Sequence, residues 1–158
     1  MILDSGNRRE FETGAVRDIV EGKGRCDLVP LTIAARLGPK EDDIWDFVLY
    51  YLGRFLEDEE KSCHWLITAL HCFAKQAYSE DIPTMLLEVS KHFEEGAKKY
   101  GENNWQKGIP VNCYIDSAVR HYLKWKRGDE DENHARAVVW NILCCGWEVE
   151  RIAKNREC

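Results

Sequence analysis

The chain has 158 residues, a net charge of −6, 44% apolar residues and 32% charged residues. That length supports one domain with one sizeable core. The acidic balance excludes broad binding to a nucleic-acid polymer, which needs a positive surface, while leaving room for a basic pocket that holds one nucleotide.

No apolar run reaches the ~18 residues of a membrane span. The opening MILDSGNRREFETG lacks the basic region and apolar core of a signal peptide, so the expected compartment is the cytoplasm. Seven Cys, an odd count with no CxxC pair, are expected to be reduced thiols.

Residues 1–30 read as an ordered but irregular arm. Its glycines permit backbone positions closed to other residues. The Gly22-Lys23-Gly24-Arg25 run lacks the strand–GxxxxGK[ST]–helix context of a P-loop. It reads either as a solvated surface turn or as backbone N–H groups and cations, Arg25 among them, aimed at phosphate.

Val29-Pro30-Leu31 starts a short helix through Leu37, stopped by Gly38-Pro39. Glu41 to Glu57 places Ile44, Trp45, Phe47, Val48, Tyr51, Leu52 and Phe55 at helical spacing for a buried face. Ser62 to Tyr78 does the same with Trp65, Leu66, Ala69, Leu70, Phe73 and Ala77. Residues 41–80 therefore form an aromatic-rich helical pair. Cys63, His64, His71 and Cys72 are too far apart along a helix for one tetrahedral ion, and are expected to have ordinary structural roles.

Residues 83–147 hold most of the paired polar chemistry. After a turn at Ser79–Pro83, with Asp81 or Ser79 as cap, a helix runs to Tyr100 and stops at Gly101. Leu86, Val89, Phe93, Ala97 and Tyr100 make its apolar stripe. Glu88, His92, Glu95 and Lys99 make a second stripe. Glu94 lies about 100° around from Glu95, so only one of the two need face a site.

Asn104 and Trp105 sit in a loop. Trp105 either stacks on a base whose edge Asn104 bonds, or plugs the loop onto the core. Tyr114 to Lys126 is the next helix, with Ser117, His121 and Lys124 on one face and Arg120 following Asp116 at i+4. Asp129–Glu132 is expected to open the last helix, where negative charge suits the dipole. Asn141, amid Val, Trp and Ile, enters the interior and needs a partner. Glu148 to Cys158 is expected to fray. With no convincing strand alternation and no repeat, the expected fold is an all-α helical bundle of one domain spanning 1–158.

Carboxylates converging from separate helices would suit a hard divalent ion that also binds substrate phosphates and waters. Such an ion neutralises phosphate charge and activates a water, and a neighbouring carboxylate or imidazole takes the proton. Lys98, Lys99, Arg120 and Lys124 would stabilise charge on a leaving pyrophosphate. Spacing alone does not establish that these groups meet.

The stretches TGAVRD, GKGRCDLVP, EVSKHFEEGAKKYGENNWQKGIP and YIDSAVRHYLKWKRGDEDENHARAVVWNIL resemble the phage and bacterial family of dATP/dGTP diphosphohydrolase N-terminal domains. The resemblance runs from Thr13 to about Trp147. It implies a link to MazG-like all-α nucleotide pyrophosphohydrolases, a bacterial or phage-infected host cell, and Mg²⁺- or Mn²⁺-dependent cleavage of a purine dNTP to dNMP and pyrophosphate. A homo-oligomer is implied too. MazG-like enzymes carry EExxE on one helix and ExxD on the next. Here Glu94-Glu95 begins the motif, Lys98 stands in place of its last Glu, and Asp116, Arg120 and His121 occupy the next helix.

On the nearer family's motifs, the expected catalytic residues are Glu95, Glu132 and His121. The expected metal ligands are Glu94, Glu95, Asp131, Glu132 and His134. Lys98, Lys99, Arg120, Lys124 and Arg25 would hold phosphates, and Asn104, Trp105 and Asn141 the base. The alternatives are a non-catalytic nucleotide sensor and a phage-encoded interaction protein.

Overall fold

The computed structural model describes residues 6–19, 21–37 and 45–157. A small hairpin of β1 (Arg8–Glu10) and β2 (Val16–Asp18) leads into six α-helices. These are α1 (Leu31–Ala34), α2 (Phe47–Glu57), α3 (Cys63–Tyr78), α4 (Ile82–Tyr100), α5 (Val111–Arg127) and α6 (His134–Arg156), with single 3₁₀ turns at Cys26–Leu28 and Asn104–Gln106. The all-α expectation therefore holds for the body of the chain. The hairpin is an addition to it: three-residue strands are too short to show alternation in the sequence.

Helix α6 is the axis of the bundle and packs against α3, α4 and α5. Ala137, Val138, Val139, Asn141, Ile142, Cys144, Cys145 and Glu148 are all buried along it. Leu52, Phe55, Leu66, Phe73, Ile115 and Tyr122 are fully buried in the core the helices share. Tyr122 also ties α5 to α2, because its hydroxyl donates to the Asp46 carboxylate at 2.8 Å.

Capping fixes where the helices begin. Asp46 accepts from the Leu49 N–H, Ser62 from His64, and Asp81 from Thr84. Helix α2 therefore starts at Phe47, and Trp45 precedes it; residues 41–44 of the expected helix, and the expected stop at Gly38-Pro39, lie outside the described residues. Helix α1 ends at Ala34, with Ala35 and Arg36 in the turn that follows.

Two expectations at the far end are corrected. Helix α6 begins at His134, because the Asn133 side chain caps it by accepting from the Arg136 N–H at 3.0 Å. Asp129–Glu132 is thus the turn before that helix. The tail is helical through Arg156, pinned by buried Glu148, which Arg151 grips with two N–H groups at 2.6 and 2.9 Å.

The hairpin docks on the α4–α5 loop. Asn104, buried in that loop, accepts from the Val16 N–H and donates to the Val16 carbonyl, both at 2.9 Å, as a neighbouring strand would. Lys99 and Tyr100 both reach Asp18 on the same strand, at 3.0 and 2.9 Å. Gly108 has φ +87°, and a Cβ there would come within 3.2 Å of Thr13, so the residue type itself permits the close approach.

Candidate active site

Gly128, in the left-handed region, closes α5 and turns the chain back. The acidic run that follows lies against the basic end of α5. Arg127 takes Asp129, and Lys124 takes Asp131 at 3.2 Å. Those pairs leave Glu132 facing inward, its side chain only 11% exposed.

There three ligand atoms converge. His121 Nδ1 and His134 Nδ1 are 2.9 Å apart, and Glu132 Oε1 lies 3.4 Å from the first and 3.8 Å from the second. Asp131 accepts from His134 Nε2 at 2.6 Å. Hydrogen bonds from His134 and then Lys124 hold the Asp131 carboxyl down at about 2. With Nε2 donating to Asp131, His134 Nδ1 is left to accept, and His121 Nδ1–H donates to it. Burial lowers His121 to about 3, with repulsion from His134 and His92 adding to it, so its ring is neutral at physiological pH.

The donor set fits a divalent ion. A tautomer change at His121 would free two imidazole lone pairs and one carboxylate oxygen on one point, and the Asp131–His134 bond is the orienting contact metal-bound histidines usually have. Two imidazoles favour a transition ion, whereas Mg²⁺ prefers oxygen throughout. Asp129, Asp131 and His134 form a second cluster on the outer side. Its carboxylates are already taken by Arg127 and Lys124.

His121 and Glu132 open onto a cavity of about 330 Å³ between the hairpin, α4, α5 and α6. Arg9, Arg17, Lys23, Arg120 and Lys124 line it, against Asp18, Asp116 and Glu132, so cations outnumber acids. Arg120 is held by Asp116 and by the Lys23 and Gly24 carbonyls. The glycine loop thus presents its carbonyls to Arg120.

His92 of α4 also lines the cavity, and burial lowers it to about 4 against the opposing pull of Glu95. Asn141 lies in the wall, buried. Its amide donates to the Ala137 carbonyl and its oxygen accepts from Arg17 at 3.0 Å. A second cavity of about 360 Å³ shares Gly96, Tyr100, Asn104 and Trp140 with the first and is walled by Phe93 and Trp105.

Of the residues expected from sequence, the fold brings Arg120, His121, Lys124, Glu132 and Asn141 to the first cavity, with His134 and Asp131 directly behind. Asn104 reaches both cavities, but its amide is committed to Val16. Trp105 packs edge-on to Phe93 and Trp147, plugging the loop while lining the second cavity.

The remaining expected residues are not brought to the first cavity. Glu94 and Lys98 pair with each other on an exposed face. Glu95 lies 3.9 Å from Arg136. Lys99 is buried against Asp18, and Arg25 is paired with Asp27.

Arg9, Arg17, His92 and Trp140 line the cavity without having been expected there, and so does Lys23, the second cation of the Gly22-Lys23-Gly24-Arg25 run. His92 had a signal, since it falls on the polar stripe of α4. Arg17 falls in the TGAVRD stretch of the resemblance, whereas Arg9 had no signal, and the placement of both depends on a docking contact 88 residues away.

A profile of the family dATP/dGTP diphosphohydrolase, N-terminal, matches residues 73–156, and the chain belongs to that family. The match spans α4, α5, α6 and the turn bearing Glu132. No curated protein and no solved structure matches the chain. No helix among the described residues is long and apolar enough to cross a membrane.

Proposed function

We propose that this chain hydrolyses a purine deoxynucleoside triphosphate to its monophosphate and pyrophosphate in the cation-lined cavity. The observation that carries the reading is the meeting of His121, Glu132 and His134 on one point at the wall of that cavity, within the segment that defines the family. A water oxygen forms a bond to the α-phosphorus, the α–β bridging P–O bond breaks, and pyrophosphate leaves with the electron pair.

His121, His134 and Glu132 would hold the divalent ion, Mn²⁺ more readily than Mg²⁺. When bound, that ion supplies charge neutralisation for the phosphates and acidifies a water. Asp131 fixes the His134 ring, and Glu132 would accept the water's proton. Arg120 and Lys124 stabilise charge on the departing phosphates, and their pairing with Asp116 and Asp131 holds them in place.

One observation favours a second reading, a nucleotide sensor without turnover. The acidic α4 motif is not assembled as an ion site: Glu94 is spent on Lys98, and Glu95 lies beside Arg136. A screen of all dNTPs and NTPs with Mg²⁺ and with Mn²⁺, separating pyrophosphate from phosphate, decides between them. The enzyme reading expects pyrophosphate from dGTP or dATP, lost in Glu132→Gln. Thermal stabilisation by nucleotide with no product under any condition would establish the sensor.

A further inference from the structure

Arg9 and Arg17 are register partners across the hairpin, and both line the cavity. Like charges directly opposite on a strand pair oppose hairpin formation. Neither guanidinium has a carboxylate partner among the described residues. Arg17 gives Nη2 to Asn141, lies over the rings of Tyr114 and Trp140, and keeps a buried Nη1 with no hydrogen-bond partner. Arg9 gives Nη2 to Cys113 Sγ at 3.1 Å, lies over Phe11, and keeps a buried Nε with no partner.

Buried charge is ordinarily paired, and buried N–H donors are ordinarily bonded. Two partly buried arginines side by side at the wall of one cavity, each with a buried N–H that has no hydrogen-bond partner and neither with a carboxylate, point to an anion between them. The hairpin lies outside the segment that matches the family, and lines the same cavity as His121 of α5 and Glu132 of the α5–α6 turn.

We infer that the Arg9–Arg17 pair is a clamp for the pyrophosphoryl end of a nucleoside triphosphate, reading the length of the phosphate chain. This rests on the proposal that the cavity takes such a substrate, and adds which part of it the hairpin holds. A guanidinium offers parallel N–H groups matched to phosphate oxygens. Two of them fixed on one strand pair, with their aromatic contacts already made, suit two adjacent phosphates better than one. Asn104 and Asp18, which dock the hairpin, are positioning residues for the clamp.

The test is calorimetric titration of the metal-free full chain with dGTP, dGMP and inorganic pyrophosphate. The wild type is expected to bind dGTP and pyrophosphate at least ~10-fold more tightly than dGMP, and Arg17→Gln to lose ~10-fold or more on the first two while changing dGMP less than ~3-fold. Arg9→Gln should act in the same direction and serves as the second arm if Arg17→Gln does not fold. Pyrophosphate should raise the melting temperature of the wild type and not of either variant.

Unchanged dGTP affinity in both variants, with the wild-type preference for triphosphate intact, would overturn the clamp and leave the substrate assignment standing. A wild type that binds none of the three compounds would overturn both. Tight pyrophosphate binding with no added gain from dGTP would mean that the site serves free pyrophosphate, and would refute the nucleotide part of the inference.

Discussion

Helix α4 and the α5–α6 turn both present acids and bases at close spacing, with opposite outcomes. On α4, Glu94 finds Lys98 one turn on, and both side chains stay largely in water. In the turn, Gly128 and the cap at Asn133 set the path of the backbone. Arg127 and Lys124 draw off the outer carboxylates, and Glu132 and His134 go inside. A regular helix lets an acid find a cation at i+3 or i+4, whereas a short turn between two helix ends has to aim its side chains. Ligand chemistry follows the aimed ones.

The largest effect that would sharpen this contrast is on turnover. Glu132→Gln and His134→Ala should each lower metal-dependent pyrophosphate release by about 100-fold or more, while Glu94→Gln stays within about twofold. Equal losses in both places would erase the distinction. Asp131→Asn should be intermediate, weakening divalent-ion affinity ~10–100-fold by releasing the His134 ring, with little change in the nucleotide binding measured without metal.

Two effects on stability follow. Asn104→Ala removes two buried hydrogen bonds that hold the hairpin, and should cost about 2 kcal/mol in denaturant unfolding.

The second concerns pH. The folded His92 ring stays neutral down to about 4, whereas unfolded it binds a proton below 6.5. Between those values the unfolded state holds more protons, so stability should fall as pH drops through the window, by roughly 3 kcal/mol in all. His121, lowered to about 3, adds in the same direction. His92→Gln should flatten the slope measured by denaturant titration at several pH values. The smallest effect is that of Lys98→Gln, which should leave the melting temperature unchanged, because the Glu94 pair is solvated.

Much of the bundle was legible in the sequence. The apolar spacing of α2 to α5, the cap at Asp81 and the glycine stop at 101 are local signals, and local chemistry decides them. The start of α6 was misplaced because Asp129–Glu132 looks like a dipole-favoured first turn, whereas Asn133, a strong cap type, was the better sign.

Within the site, His121, Glu132 and His134 could be named from their motifs, but their convergence belongs to the return of the chain between α5 and α6. The hairpin had no local secondary-structure signature, although Arg17 lies in the TGAVRD stretch of the resemblance. Its strands are three residues long, and they are held by Asn104, Lys99 and Tyr100 from far along the chain. Those same contacts explain why Asn104 and Lys99, expected to bind substrate, are occupied with the protein's own backbone and Asp18.

The most direct test of the central claim is Mn²⁺ titration followed by electron paramagnetic resonance on the wild type, Glu132→Gln, His134→Ala and Glu95→Gln. The account expects one tightly bound ion per chain in the wild type and in Glu95→Gln, and none in the other two. Retention of that ion in Glu132→Gln and His134→Ala, with its loss in Glu95→Gln, would contradict it and return the ion to α4.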